Sequence, residues 1–554
     1  MEPLAMTPER AHPGRPNRRE FLTSLLLGSS SLLLPGCSNR KLPPAGELLS
    51  PSFELGHRLR DGETFEPAET VWEDAGVVVV GGGIAGLSAG WRLQQAGVAD
   101  FQVLELEREI GGTSRSGRSS VTGYPWGAHY VPMPQPSNRG LRSLLTEMGV
   151  LDGAGKAAEH VLCREPQERL FVEGSWVDGL YPYSIASEDD LRQWEEFGTE
   201  IKRWIDWRDV QDRPAFTIPV AECSEAEDVT KLDRMTMHEW LQEQGWTSKP
   251  LHWLVDYCCR DDYGLTVEQT SAWAGLFYFA SRIDHSEDGE QPLLTWPAGN
   301  GEIVNHLASQ LGSHVQAGQA VVSIEPPTEQ GRGPTRIVVY DTETSKTRGL
   351  HAGQVIFAAP QFLAPYLVRG LSSERKQVSQ SFEYGAWVVA NLHLSERPKE
   401  TGVPLCWDNV IHNSSSLGYV VATHQTGSDY GPSVWTWYMP LCDPLPADAR
   451  QRLLELTWEH WAEVVLQDLE PAHPEIRKYA ERLDVMRWGH AMIQPRPGCV
   501  WSDERRAAAR PVGPVHFAGT DLSGVALMEE AFYHGVRAAE EVLTVREIDF
   551  SSLL

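Results

Sequence analysis

The first sharply patterned apolar segment begins near Gly76. Val77–Val80 is a β-branched run without alternation, as a strand buried on both faces requires. Glycines follow at once. The next stretch, "LSAGWRLQQAG", spaces Leu87, Trp91 and Leu93 along a helix and offers Gly97 as its stop. "DFQVLELE" reads as a second strand, which completes a β-α-β unit. From about 140 to 290 the pattern turns helical and Trp-rich, in "LRQWEEFGTEIKRWIDW" and "TMHEWLQEQGW". Strand signals return in "QAVVSIEP", "RIVVYD" and "QVIFAAP", with "TETSKTRG" as a turn-rich connection. "AWVVANLHL", "GYVVATH" and "SVWTWYMP" alternate as in an antiparallel sheet, and "ARQRLLELTWEHWAEVVLQDL" reads as one amphipathic helix. The end, "GPVHFAGTDLSGVALMEEAFYHGVRAAEEVL", is strand, turn and helix.

Composition narrows the function. The chain has 554 residues, 41% of them hydrophobic, with 20 Trp, which is globular material. A net charge of −28 argues against nucleic acid and against an anionic membrane face as partners. The 8 cysteines are too sparse for a disulfide scaffold. Cys258 and Cys259 are adjacent and no CxxC pair occurs, so the spacing of a zinc site is missing; buried thiols are expected. Export would leave room for a disulfide. Beyond the N-terminal segment no apolar run reaches the ~20 residues that span a bilayer.

The β-α-β unit carries Gly81-x-Gly83-x-x-Gly86. Gly81 allows a tight turn, Gly83 lets backbone approach a pyrophosphate, and Gly86 lets helix pack on strand. The helix N-terminus offers unpaired N–H groups to phosphates. Glu105 ends the second strand, where an acid accepts hydrogen bonds from a ribose. The unit alone does not separate NAD from FAD.

The following residues, "ELEREIGGTSRSG", resemble the flavin-containing amine oxidase superfamily, which also holds protoporphyrinogen oxidases and carotenoid desaturases. The resemblance implies bound FAD. Gly112 then lies against the pyrophosphate, together with Gly81, Gly83, Ala85 and Gly86 of the first turn and Glu105 on the ribose. Thr113 stands where the family often has arginine, and Arg115 follows two residues later. "YPWGAHYVP" resembles the loop beside the isoalloxazine, mapping to Gly127, Ala128, His129 and Tyr130. "LTWPAGNGEIVNHLASQLG" and the strand after it place the Val321 backbone at the adenine. In "VHFAGTDLSGVALMEEAF", Gly519 and Asp521 are expected at the pyrophosphate and ribityl, with Asp521 where many relatives have Glu. Met528 and Glu529 open a helix whose N–H groups face flavin O2, where a reduced flavin carries negative charge.

The resemblance implies a two-lobed α/β fold. An FAD lobe is assembled from 76–140, 290–365 and 486–546. A substrate lobe of helices and antiparallel sheet comes from 141–289 and 366–485. The implied activity is transfer of a hydride equivalent from a C–N or C–C bond of an organic substrate to flavin. Many amine oxidases of the family place a lysine near flavin N5; here Tyr366 holds that position and the next lysine is Lys376. That departure, and "RWGHAMIQPRPG", point toward the protoporphyrinogen oxidase and desaturase side, with a large apolar substrate. A third reading is a flavin electron-transfer or assembly protein without its own organic substrate. Cys499 is expected as an ordinary thiol, covalent flavin being the alternative. Of His129, His252, His490 and His516, only His129 is placed near the ring by the resemblance. Trp273, Phe277 and Tyr278 are expected on a buried helix.

Arg18-Arg19-Glu20-Phe21-Leu22 resembles a twin-arginine export signal, and Phe21–Leu34 suits its apolar region. "LLPGC" resembles a lipoprotein cleavage site, with Cys37 as the lipidated residue. Residues 1–37 are then a signal peptide and 38–75 a linker, of which 41–75, rich in Pro, Gly and Glu, reads as a linker or an extended arm. Export machinery would be a partner, a lipid anchor the one membrane contact, and the periplasm or membrane surface the location. An export route for folded proteins suits an enzyme that must first acquire FAD.

Overall fold

A computed structural model of the chain describes residues 41–67, 72–282, 292–327 and 333–554. Arg18, Arg19 and Cys37 lie outside the described residues. Two large sheets organise the rest. In the first, of seven strands, β1 (Trp72–Val80) and β2 (Phe101–Leu104) run parallel and helix α1 (Ile84–Gln95) joins them. β3 (Thr347–Phe357) lies parallel on the other side of β1, and β4 (Val515–Phe517) lies parallel on β3. Strands Gln319–Glu325 and Thr335–Asp341 extend one edge by antiparallel pairing; Val315–Gln316 extends the other. Val77, Val78 and Val79 are fully buried, which is why their run shows no alternation. Helix α2 (Met528–Val545) packs on α1: a Cβ added to Gly535 would sit 2.2 Å from the Ala85 carbonyl oxygen.

Register brings the chain's exits together. Val80 pairs with Phe357 and with Leu104, and Phe357 pairs with Phe517. The segments starting at Gly81, Glu105, Ala358 and Ala518 therefore leave one edge of the sheet, the carboxyl edge where open α/β sheets bind ligands.

The second sheet has eight strands, in the order Leu48–Leu49, Ala480–Ile493, Tyr384–Leu394, Ser433–Leu441, Tyr419–Val421, Asp408–Ile411, Glu168–Val172 and Ser175–Asp178. Helices Glu188–Asp206, Lys249–Tyr263 and Ala272–Ala280 add a Trp- and Phe-rich core, in which Trp273 and Phe277 are fully buried as expected and Tyr278 is half-buried.

Three expectations are corrected. The described part of 38–75 is an extended arm and not a free linker. Leu48–Leu49 pairs in parallel with Val485 and Met486, while helix Glu54–Arg60 buries Leu55 against Ala320 and Val322 of the first sheet. The segment is a strap over both sheets. The stretch 486–546 does not belong wholly to the first sheet, because Ala480–Ile493 is a central strand of the second, between Leu48–Leu49 and Tyr384–Leu394. The single helix expected over 449–469 is two, Pro446–Glu455 and Trp458–Leu469. The chain turns extended at Leu456, and the Thr457 side chain caps the second helix by accepting from the His460 N–H.

Candidate active site

At the carboxyl edge of the first sheet two glycine pairs run side by side. Gly81 turns out of β1 with φ 108°, a conformation costly for any side chain, and a Cβ there would meet the Ala358 carbonyl oxygen at 2.9 Å. Gly83 is the N-cap of α1, and a Cβ on it would meet no protein atom within 4 Å. Gly86 is the opposite case: its Cβ would fall 1.9 Å from the Gly81 carbonyl oxygen. The Gly111 N–H donates to the Gly82 carbonyl at 2.8 Å, and a Cβ on Gly112 would lie 3.6 Å from Gly83 Cα. The result is a trench floored by backbone and closed on one side by the N-terminus of α1, where Ala85 is buried in the first turn.

Glu105 stands at the end of the trench. Its Oε2 accepts from the Gly82 N–H at 2.6 Å and its Oε1 from the Glu107 N–H at 2.8 Å. Burial pushes this carboxyl above its ordinary range, against those two hydrogen bonds. Arg115 is 8% exposed, lies 5.0 Å over the Trp488 ring and donates to Met486 Sδ. Its Nε has no partner and no carboxylate pairs with it among the described residues. A buried guanidinium with spare donors fits an anionic group that the protein itself does not supply. Val321 sits at a register shift in Gln319–Glu325, and Gln319 donates to the Glu105 carbonyl at 2.7 Å.

The C-terminal segment closes the trench from the other side. Gly519 has φ 130° and open space around it. Asp521 is buried, and its Oδ2 accepts from the Gln361 N–H and the Tyr384 hydroxyl, both at 2.7 Å. Its carboxylate is therefore engaged in a clasp onto the loop after β3. Helix α2 starts at Met528 without an N-cap side-chain bond, and the Glu529 carboxyl accepts from its own N–H there. Glu529, in that first turn, is 4% exposed and burial pushes it up to about 7.

An aromatic wall forms around the 127–130 loop, whose Tyr130 feels the field of Glu529 at the start of α2. The Ala128 N–H donates to the Thr113 carbonyl, which fixes the 127–130 loop against the trench. His129 Nδ1 is 3.2 Å from the Gly127 carbonyl, and the Tyr438 hydroxyl donates to the same oxygen at 3.3 Å. The His129 ring stacks on Tyr438 at 4.9 Å and lies 5.4 Å from Trp407. Burial pulls His129 down to about 4, so the ring is neutral at physiological pH, with Nδ1–H donating and Nε2 an acceptor. The Tyr130 hydroxyl accepts from Arg282, whose other arm binds Asp262 at 2.5 Å.

Several groups here were not found in the sequence. Asp261, Asp262 and Arg282 come from the helical insert and Asp408, Trp407 and Tyr438 from the second sheet. Asp261 and Asp408 are both pushed above the carboxylate range, first by burial; Asp262 also acts on Asp261, and Asp261 on Asp408. The one signal was Trp253, Tyr257 and Asp261 at intervals of four on a helix that also carries Asp256, Arg260 and Asp262. Other sequence-stated residues stay apart from the wall. Tyr366 is 39% exposed on the short helix Ala364–Leu367, Lys376 is exposed, and His252 and His516 bond the Trp246 carbonyl and Glu541. His490 stacks on Phe362. The Cys499 thiol is pushed up to about 12 by burial and is no ready nucleophile.

A glycine trench at a switch point, faced by a helix N-terminus and an aromatic wall, defines a two-lobed dinucleotide-binding oxidoreductase. The comparisons make this specific. The family described as Flavin containing amine oxidoreductase matches residues 84–543, and the chain belongs to it. The chain is 24% identical over 484 residues to flavin-containing amine oxidase B of Bos taurus, covering 84% of this chain and 86% of that protein. It is 23% identical over 486 residues to L-amino acid dehydrogenase of Synechocystis sp., covering 80% and 89%. Wild-type putrescine oxidase bound to putrescine shares the fold with a TM-score of 0.62 at 16% identity, over 85% of this chain and 100% of that one. The protein is thus an FAD-dependent oxidoreductase of the amine-oxidase type.

Proposed function

We propose that the chain oxidises a small amine that arrives as a cation, and that the aromatic wall beside His129 is where its carbon faces FAD. The bound FAD supplies the acceptor for the hydride equivalent lost from the carbon next to nitrogen. The resulting imine takes up water and releases an aldehyde or ketone and ammonia, or a smaller amine. Gly81, Gly83, Gly86 and Gly112 admit the diphosphate, Arg115 and the N-termini of α1 and α2 balance its charge and that of the ring, and Glu105 takes the ribose.

The observation that carries the amine reading is the charge of the site. Arg282 is engaged by Asp262, while Asp261, which feels Arg282 and Arg260 at a distance, and Asp408 form no direct ion pair among the described residues. A buried carboxylate without a counter-ion is costly and favours a cation. The same excess weighs against an amino-acid substrate, whose carboxylate would meet Asp261, and against a wholly apolar one. The neutral ring of His129 and its aromatic neighbours suit the uncharged amine that must be present when the C–H bond breaks. The missing lysine at Tyr366 favours the second reading, an oxidase or desaturase on a large apolar molecule. Anaerobic mixing decides between them. Bleaching of the bound flavin by amines, with stoichiometric aldehyde, supports the first; bleaching by porphyrinogens or carotenoid precursors and not by any amine overturns it.

The N-terminal reading is also a proposal: a twin-arginine signal with lipidation at Cys37, delivering the folded holoenzyme to the periplasm or membrane surface. Replacing Arg18 and Arg19 by lysine should trap yellow holoenzyme in the cytosol. Undiminished export of the double variant would end that reading.

A further inference from the structure

The strap formed by residues 46–60 runs from the second sheet to the first, and its contacts converge on the neighbours of Arg115, Glu105 and Val321. At the second sheet Leu49 pairs with Met486, whose Sδ accepts from Arg115. The strap is held on both sides of that pair. The Glu47 N–H donates to Asp484 at 3.0 Å, and Arg487 donates to the Ser50 hydroxyl at 2.9 Å. Packing is close there, since a Cβ on Gly46 would lie 2.2 Å from the Leu483 carbonyl oxygen. Further on, the Ser52 N–H donates to Glu107 Oε1 at 2.6 Å and its hydroxyl to Oε2 at 3.2 Å. The Glu107 N–H in turn donates to Glu105, and the Glu107 carbonyl accepts from the Gly318 N–H. Helix Glu54–Arg60 then buries Leu55 against Ala320 and Val322, the two neighbours of Val321, with Leu106 at the edge of the same cluster.

Residues 105–107 show how the brace works. Glu105 turns to Gly82 in the trench, while Leu106 and Glu107 are taken up by the strap through Leu55 and Ser52. Dislodging the strap frees two of the three, and Glu105 loses the fixed N–H donor of Glu107. Groups held in place before a ligand arrives spare the binding step their ordering cost. We propose that the strap is a latch for FAD: its seating and the binding of the cofactor stabilise each other. Gly46 and Leu55 are positioning residues, acting through Met486 at one end and through Leu106, Ala320 and Val322 at the other. Coupling of this kind is reciprocal. The factor by which a seated strap tightens FAD is the factor by which FAD keeps the strap seated. The inference concerns the cofactor, so it stands whichever substrate the enzyme oxidises.

Two observables test it. The first is release of FAD from the diluted holoenzyme, followed by flavin fluorescence. Leu55→Ala and Gly46→Ala disturb opposite ends of the strap, and each should speed release on the order of 10-fold. Leu55→Met, which keeps the buried volume, should stay close to the wild type. Leu241→Ala removes a buried leucine from the helical insert and controls for general destabilisation; its release rate should match the wild type. The second is trypsin cleavage after Arg58 and Arg60, both exposed on the strap. Saturating FAD should slow that cleavage on the order of 10-fold relative to the flavin-free chain. This measurement needs only the wild type, so a variant that fails to fold does not decide the matter. The inference is overturned if Leu241→Ala speeds release as much as Leu55→Ala, if both strap variants release FAD at the wild-type rate, or if cleavage at Arg58 and Arg60 is indifferent to FAD.

Discussion

Gly83 and Gly86 lie three residues apart in one turn, and the structure separates what each does. An alanine Cβ at Gly86 would stand 1.9 Å from the Gly81 carbonyl oxygen. Relieving that to a normal contact needs α1 to move by about 1.5 Å, an overpacking that costs roughly 1–3 kcal/mol of apoprotein stability. An alanine Cβ at Gly83 meets no protein atom within 4 Å, so the apoprotein should tolerate it. Its cost should appear only when a diphosphate has to approach the backbone. If the ligand is held off by a comparable overlap, the same ~1–3 kcal/mol is lost from binding, or about 5- to 150-fold in FAD affinity. The assay is thermal unfolding of each apoprotein together with FAD titration by flavin fluorescence. Gly86→Ala should lower the apoprotein Tm; Gly83→Ala should leave that Tm within a degree or two and weaken FAD. If Gly83→Ala binds FAD as the wild type does, the trench does not hold the diphosphate.

The other outcomes follow from single contacts. Arg115→Leu removes a buried guanidinium that makes no ion pair among the described residues, so FAD affinity should fall on the order of 10- to 100-fold while apoprotein stability holds, measured by the same titration and melt. Tyr384→Phe removes one of the two donors to buried Asp521 and should cost about 1–2 kcal/mol in denaturant unfolding, with the 519–522 turn loosened. His129 titrates near 4 when folded and near 6.5 when unfolded, so the unfolded chain binds the extra proton between those values. Stability attributable to His129 is present above about 6.5 and is lost as pH falls toward 4. A His129→Gln variant should therefore show a flatter Tm-against-pH curve across that window than the wild type.

What the sequence disclosed was what is local. The β-branched run, the glycine spacing, Glu105 and the terminal helix are written in consecutive residues, and each is found where its period places it. Their meeting at one sheet edge follows from parallel pairing, which the β-α-β unit already implies. Leu48–Leu49 is too short to carry a period, and its partner Ala480–Ile493 is far away in the chain, so the strap read as a linker or an extended arm. Thr457 looked like one polar position in a helix; its capping bond and the extended Leu456 make it a break. Asp261 and Asp408 could not be joined from sequence, because a charged residue in an amphipathic helix and one at a strand start both read as solvent-facing. The clasp on Asp521 was hidden for the same reason: its partners Gln361 and Tyr384 come from separate elements.

The most direct test of the proposed chemistry is an anaerobic titration of the purified, flavin-loaded protein with a series of small amines, following flavin bleaching and carbonyl product together. One equivalent of aldehyde for each flavin reduced, with the colour restored on admitting an oxidant, is the expected result. A protein that carries no flavin, or a flavin that stays oxidised with every amine offered, would contradict it.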